Sequence, residues 1–243
     1  MMDQCKPLAA WKYITAAGQI CQTLGYFRDT AFIPETARQK RRRRRLVWMI
    51  VILDMSLSLR LGRPSSIRES ELTLERLSGF VVDDVSASGF VSTLSKWVEL
   101  ARLHGQVYDD IFSPRALLQP EGIRVARARA LATDLQRVFE VTSPGERQVL
   151  EPRRRAIGDE MHELLLRADV ISHLASMTLV YRAIPAGAFS NSVFCEECID
   201  TAYRALKEHQ RCLIILRNVE RTALETYMQW SASQHGQHKS TGR

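Results

Sequence analysis

Apolar side chains return every three or four positions along most of the chain, the period of helices that lay one face on a core. Trp11, Ile14, Gly18, Cys21 and Leu24 keep that step and predict a first helix ending near Gly25. A second is predicted over about 34–60, with Leu46, Met49, Ile50, Leu53 and Leu57 on one stripe. Pro34 suits its first turn, Gly62 the left-handed position after its last, and Pro64 blocks continuation. Residues 62 to about 87 read as irregular, with room for a short helix around 69–77.

A third helix carries Phe90, Leu94, Trp97, Val98 and Ala101 and stops before Pro114; a fourth carries Leu131, Leu135, Val138 and Phe139 and ends before Pro144. A fifth holds Ile157, Met161, Leu164, Ala168, Ile171, Ala175 and Thr178, reaching about Ile184. The sixth starts near Ser192, places Cys198, Ala202, Ala205, Cys212, Leu213 and Leu216 at helical spacing, and runs towards Trp230. No run alternates long enough to predict a strand. The expected fold is therefore all-α, about six or more long helices in one irregular domain over 1–230, with 231–243 a disordered polar tail.

Composition adds little to this until the charge is located. The chain has 243 residues and a formal net charge of +7, with 34 basic and 27 acidic residues. Seven of the basic residues lie between Arg38 and Arg45, where there is no acid. Outside that run the signs balance, so no basic face of the kind that tracks a phosphate backbone is expected. The run Lys40, Arg41, Arg42, Arg43, Arg44, Arg45 has three overlapping readings: a solvated helix start, a nuclear import signal or a phosphate contact. Continuing the apolar stripe backwards lands on Arg42 and Arg43, which places that turn beyond the core edge. The apolar stretch 46–53 that follows is eight residues long, where a membrane span needs about 20, so no membrane segment is expected.

Candidate chemistry is sparse. Five Cys without an evident secretory leader point to a reducing compartment. Cys195-x2-Cys198 and His209-x2-Cys212 have zinc-like spacing. The intervening stretch reads as unbroken helix, however, and 14 residues at ~1.5 Å each separate Cys195 from His209 by about 21 Å. Buried thiols are the expected reading. His162 and His173 fall about 16 Å apart along one helix, and Asp169 is expected to pair with His173 one turn later. The pairs Asp83-Asp84 and Asp109-Asp110 lack the third acid of a diphosphate-metal motif. No nucleophile is assembled with a base, so no catalytic, metal or cofactor residues are expected. Asp54, on the apolar side of the second helix, needs a partner, expected to be Arg63 or an arginine of another helix.

Two blocks carry a resemblance. GQICQTLGYFRD at 18–29 and RRRLVWMIVILDMSLSLRLGRP at 43–64 resemble the fungal-specific transcription factor domain, the middle regulatory region of zinc binuclear cluster transcription factors, also called xylanolytic-activator type. The matching positions are Leu24, Gly25, Arg28 and Asp29; Arg44, Arg45, Leu46 and Trp48; Leu53, Asp54, Ser56 and Ser58; and Gly62, Arg63 and Pro64. A looser match continues over 179–185, where Arg182 is separated from Pro185 by two residues, to about 217.

The resemblance implies an all-α regulatory domain, nuclear location and control of RNA polymerase II transcription, with no enzymatic activity. It also implies a six-Cys zinc cluster that reads DNA. Cys5 and Cys21 are the only cysteines before Cys195, so that module is expected to be missing, as in an N-terminally truncated product. The chain itself is then expected to hold no zinc and to meet DNA only through the missing module. Its expected partners are the transcription machinery or co-regulator proteins, with a homodimer left open. A helical interaction scaffold, a partial gene product without independent activity, and a helical metal-dependent enzyme are the alternatives.

Overall fold

The computed structural model describes residues 7–29, 34–74, 85–140, 154–155, 157–187 and 192–237, with 85–93 and 222–237 described by backbone alone. Among the described residues the named α-helices are α1 (Pro7–Thr23), α2 (Ala37–Arg60), α3 (Val85–Val107), α4 (Pro114–Leu117), α5 (Glu121–Glu140), α6 (Asp159–Tyr181) and α7 (Glu196–Gln237). Among the described residues there is no strand, only an isolated bridge between Pro185 and Phe194. The chain is all-α.

The helix ends follow local chemistry. Thr36 caps α2: its hydroxyl accepts from Gln39 N at 3.3 Å, and Gln39 Oε1 accepts from Thr36 N at 2.9 Å. This capping box starts the helix three residues beyond Pro34, which lies outside the first turn. At the other end Gly62 has φ +63°, with its N–H on Leu59 O and the Arg63 N–H on Ser58 O. Gly25, at φ +70°, closes α1 in the same way, the Tyr26 N–H reaching Cys21 O at 2.8 Å. Between 62 and 74 the expected short helix shrinks to a single 3-10 turn, Glu69–Glu71. After α3 the chain widens into a π turn, Tyr108–Phe112, before Ser113 caps α4 with Pro114 at its first position.

The buried faces of α2 and α6 differ from the stripes read in the sequence. On α2, Leu46 is 54% and Leu53 40% exposed, whereas Val47, Trp48, Ile50, Val51, Asp54, Met55 and Ser58 are buried. The true face is turned by about one residue, or ~100°. It escaped detection because nearly every position from 46 to 59 is apolar, while polar Asp54 and Ser58 occupy its centre. On α6, Met161 and Ala175 face outward, and His162, His173, Leu174, Ser176, Met177 and Val180 face inward. On α7, Cys198 and Cys212 are buried as expected, but Leu213 and Leu216 are exposed. That helix also continues to Gln237, so 231–237 is helical where a disordered tail is expected; 238–243 lies outside the described residues.

Two apolar clusters result. The first joins α1, α2 and α3 through Cys21, Val47, Trp48, Val51, Met55, Leu94 and Val98, with Phe27, Ile67 and Leu74 from the connections. The second joins the end of α2, the end of α3, α5, α6 and the start of α7 through Leu59, Val107, Leu131, Leu135, Met177, Val180 and Cys198. Helix α2 belongs to both. Helices α6 and α7 form the most extensive pair, and α6 also packs on α5. By length and composition α6 is apolar enough to cross a membrane, with 28% of its apolar window buried. Here it lies against α5 and α7, and its Arg167 bonds Glu163 and Glu208 at 2.7 Å each.

Candidate functional site

The residues singled out in the sequence meet at the start of α2. The Gly25 turn swings Asp29 onto α2, where Arg44 reaches Asp29 Oδ2 at 2.7 Å and Lys40 reaches Oδ1 at 3.1 Å. Burial alone pushes the Asp29 pKa up, but Lys40 and Arg44 outweigh it and hold the carboxyl below its ordinary range. Arg43 Nε lies 3.0 Å from Glu35 Oε1, and its guanidinium sits 5.3 Å from the Tyr26 ring centre. Arg28 pairs with Glu71 at 3.3 Å, while the Thr73 N–H reaches Phe27 O at 3.1 Å. The Leu24-Gly25, Arg28-Asp29 and Arg44 positions thus form one junction between α1, α2 and the 3-10 turn.

Two expectations are corrected at this junction. The arginine run does not project as a whole: Arg43 and Arg44 are each 6% exposed, and Arg41 and Arg42 remain outside. The same one-residue rotation that moves the apolar face brings Arg43 and Arg44 onto it. Among the described residues Asp54, fully buried, has no arginine partner either. It accepts from Ser65 Oγ at 2.5 Å, Ser66 N at 2.9 Å, Ser66 Oγ at 2.7 Å and Ile67 N at 3.3 Å. The segment after Gly-Arg-Pro folds back over α2 and supplies hydroxyl and backbone donors in place of a cation. Arg63 instead lies 4.8 Å from the Trp11 ring centre, and Trp11 Nε1 donates to Ser58 Oγ at 3.0 Å. Trp48 is a core residue, and Arg45 is half-buried.

A cavity of about 220 Å³, to which no sequence spacing points, lies where the two apolar clusters meet. Helix α2 contributes Ile52, Ser56 and Arg60; α3 contributes Lys96, Trp97, Leu100 and His104; α5 and α6 close it with Phe139, Asp169 and His173. His104 bridges three helices. Its Nε2 lies 2.9 Å from Ser176 Oγ and its Nδ1 3.2 Å from Ser56 Oγ. Ser176 already donates to Ser172 O at 2.9 Å, so it accepts from Nε2–H, and Nδ1 accepts from Ser56. Burial, then the positive charges of Arg60 and His173, lower the His104 pKa to about 4.

His173 Nε2 donates to Gln136 Oε1 at 3.0 Å, and its ring stacks on Phe139 at 4.0 Å. Its Nδ1 has no hydrogen-bond partner, so the expected Asp169–His173 pair is not formed. Burial, Arg204 and Lys96 lower its pKa to about 4 as well. The residues that build the cavity come from four helices, and no sequence spacing relates them.

The other candidates do not assemble. Cys198, His209 and Cys212 lie on one unbroken helix, with Cys195 directly before it, and the three thiols are buried. Burial raises the pKa of each. Among the described residues no group of three or more His, Cys, Asp or Glu is placed to share an ion. His162 is buried on α6. Asp110 pairs with Arg127 at 3.5 Å, and burial together with Asp110 raises the pKa of Asp109. Asp83 and Asp84 lie outside the described residues.

The family model of the fungal specific transcription factor domain matches residues 2–140. The chain belongs to that family. No curated protein and no solved structure matches it.

Proposed function

We propose that this chain is the regulatory domain of a nuclear transcription factor controlling RNA polymerase II, acting by packing and not by catalysis. The family match over 2–140, which spans α1 to α5, carries this reading. In this proposal sequence-specific DNA recognition belongs to a zinc cluster module outside the chain, and the chain holds no zinc of its own. The chain restrains or relays activation through contacts with co-regulators or the transcription machinery. The seam supports such a role: α2 belongs to both clusters, so a shift of one cluster against the other changes what α2 presents.

The test tethers the chain to a heterologous DNA-binding module in fungal cells and reads an RNA polymerase II reporter. Output should differ from the module alone by about fivefold or more, the size of a typical coupling free energy. Equal output at equal protein level would reject the reading in favour of an inert scaffold.

A further inference from the structure

The seam cavity combines features that select a ligand class. Its volume of about 220 Å³ equals about seven waters at ~30 Å³ each, which suits a body on the order of ten non-hydrogen atoms. One wall is apolar, formed by Trp97, Leu100 and Phe139. The lining holds two cations, Arg60 and Lys96, and one carboxylate, Asp169, and so carries a net positive charge. Lys96 and Asp169 each have a further interaction of their own, and Lys96 Nζ lies 5.2 Å from the Phe139 ring centre.

The two imidazoles lie in the same positive surroundings. Beyond the effect of burial, Arg60 opposes a proton on His104, and Arg204 with Lys96 opposes one on His173. A field that disfavours added positive charge attracts an anion, most strongly between low-dielectric walls. The cavity therefore presents an apolar slot, neutral hydrogen-bonding groups and a positive rim.

We propose that this cavity binds a small organic anion, its apolar body against Trp97, Leu100 and Phe139 and its carboxylate towards Arg60 and Lys96. A ligand there touches four helices and both clusters at once, and so favours one arrangement of the seam over others. Its regulatory meaning rests on the function proposed above; the binding does not.

The experiment is calorimetric titration of the full chain at neutral pH with phenylacetate, benzyl alcohol and benzylamine. Phenylacetate should bind about tenfold or more tightly than either of the others. Arg60→Gln, at an exposed position, should lower phenylacetate affinity by about tenfold with an unchanged circular dichroism spectrum. Ser172→Phe, which places a ring at the cavity from an exposed position of α6, should abolish binding. No binding of phenylacetate, tighter binding of the alcohol or amine, or full affinity in both variants would overturn the proposal. Phenylacetate binding without any change in the tethered reporter would leave the site standing and count against the regulatory reading instead.

Discussion

Ser66 holds Asp54 by two of its own atoms, the backbone N–H on Oδ2 at 2.9 Å and the hydroxyl on Oδ1 at 2.7 Å. That grip fastens the segment after α2 to the centre of the helix. Asp54→Ala removes from a fully buried place the acceptor that Ser65, Ser66 and Ile67 share and should cost about 1–3 kcal/mol. Arg63→Ala, which removes the partner that sequence reasoning assigns to Asp54, should cost no more than about 1 kcal/mol through the lost Trp11 contact. Urea unfolding of the two variants separates these outcomes.

Asp29 gives the junction a pH signature. Its folded pKa lies below its unfolded value of about 3.9, so its contribution is fully present above that pH and is lost as pH falls through the folded pKa. Asp29→Asn should lower the melting temperature at neutral pH. It should also remove part of the decline that the unmodified chain shows below about pH 4. Thermal melts of both proteins from pH 7 to pH 3 check this.

His104 acts in the same direction over a different window. Its pKa is lowered from 6.5 to about 4, so the unfolded chain takes up a proton that the folded one refuses between those values. The contribution of the neutral imidazole should be whole above about pH 6.5 and should decline as pH falls towards 4, by on the order of 3 kcal/mol in all. His104→Gln should remove its part of that decline and leave the part due to His173, whose pKa is lowered over the same window. A melt series at half-unit steps measures it.

The arginine run divides by burial. Arg41→Ala with Arg42→Ala should leave stability within about 0.5 kcal/mol, whereas Arg44→Ala, which strips Asp29 of a buried partner, should cost about 2 kcal/mol. If the exposed part of the run is an import signal, the double variant also becomes cytoplasmic. Fluorescence microscopy of tagged variants reads the second outcome, and chemical unfolding reads the first.

Much of the fold was legible in the chain because the helix signals are local. Gly25 and Gly62 mark stops through positive φ, Pro114 bars the third helix from running on, and α5 buries Leu131 and Leu135 as their spacing requires. What failed was orientation. On α2 an almost unbroken apolar run hides which face turns inward, and the deciding groups are polar: Arg43, Arg44, Asp54 and Ser58, each bonded to a partner outside the helix. On α6 the buried histidines disguise the core face in the same way. The seam cavity was invisible because Ser56, His104 and Ser176 meet only after three helices have packed.

The most direct test of a regulatory domain that works by packing is RNA polymerase II occupancy at a promoter to which the chain is tethered, compared for the unmodified chain and Ser172→Phe. The account predicts that the unmodified chain shifts occupancy relative to the tether alone. It predicts that the filled seam shifts it to a different level at equal protein abundance. Occupancy identical for tether, chain and variant would contradict it.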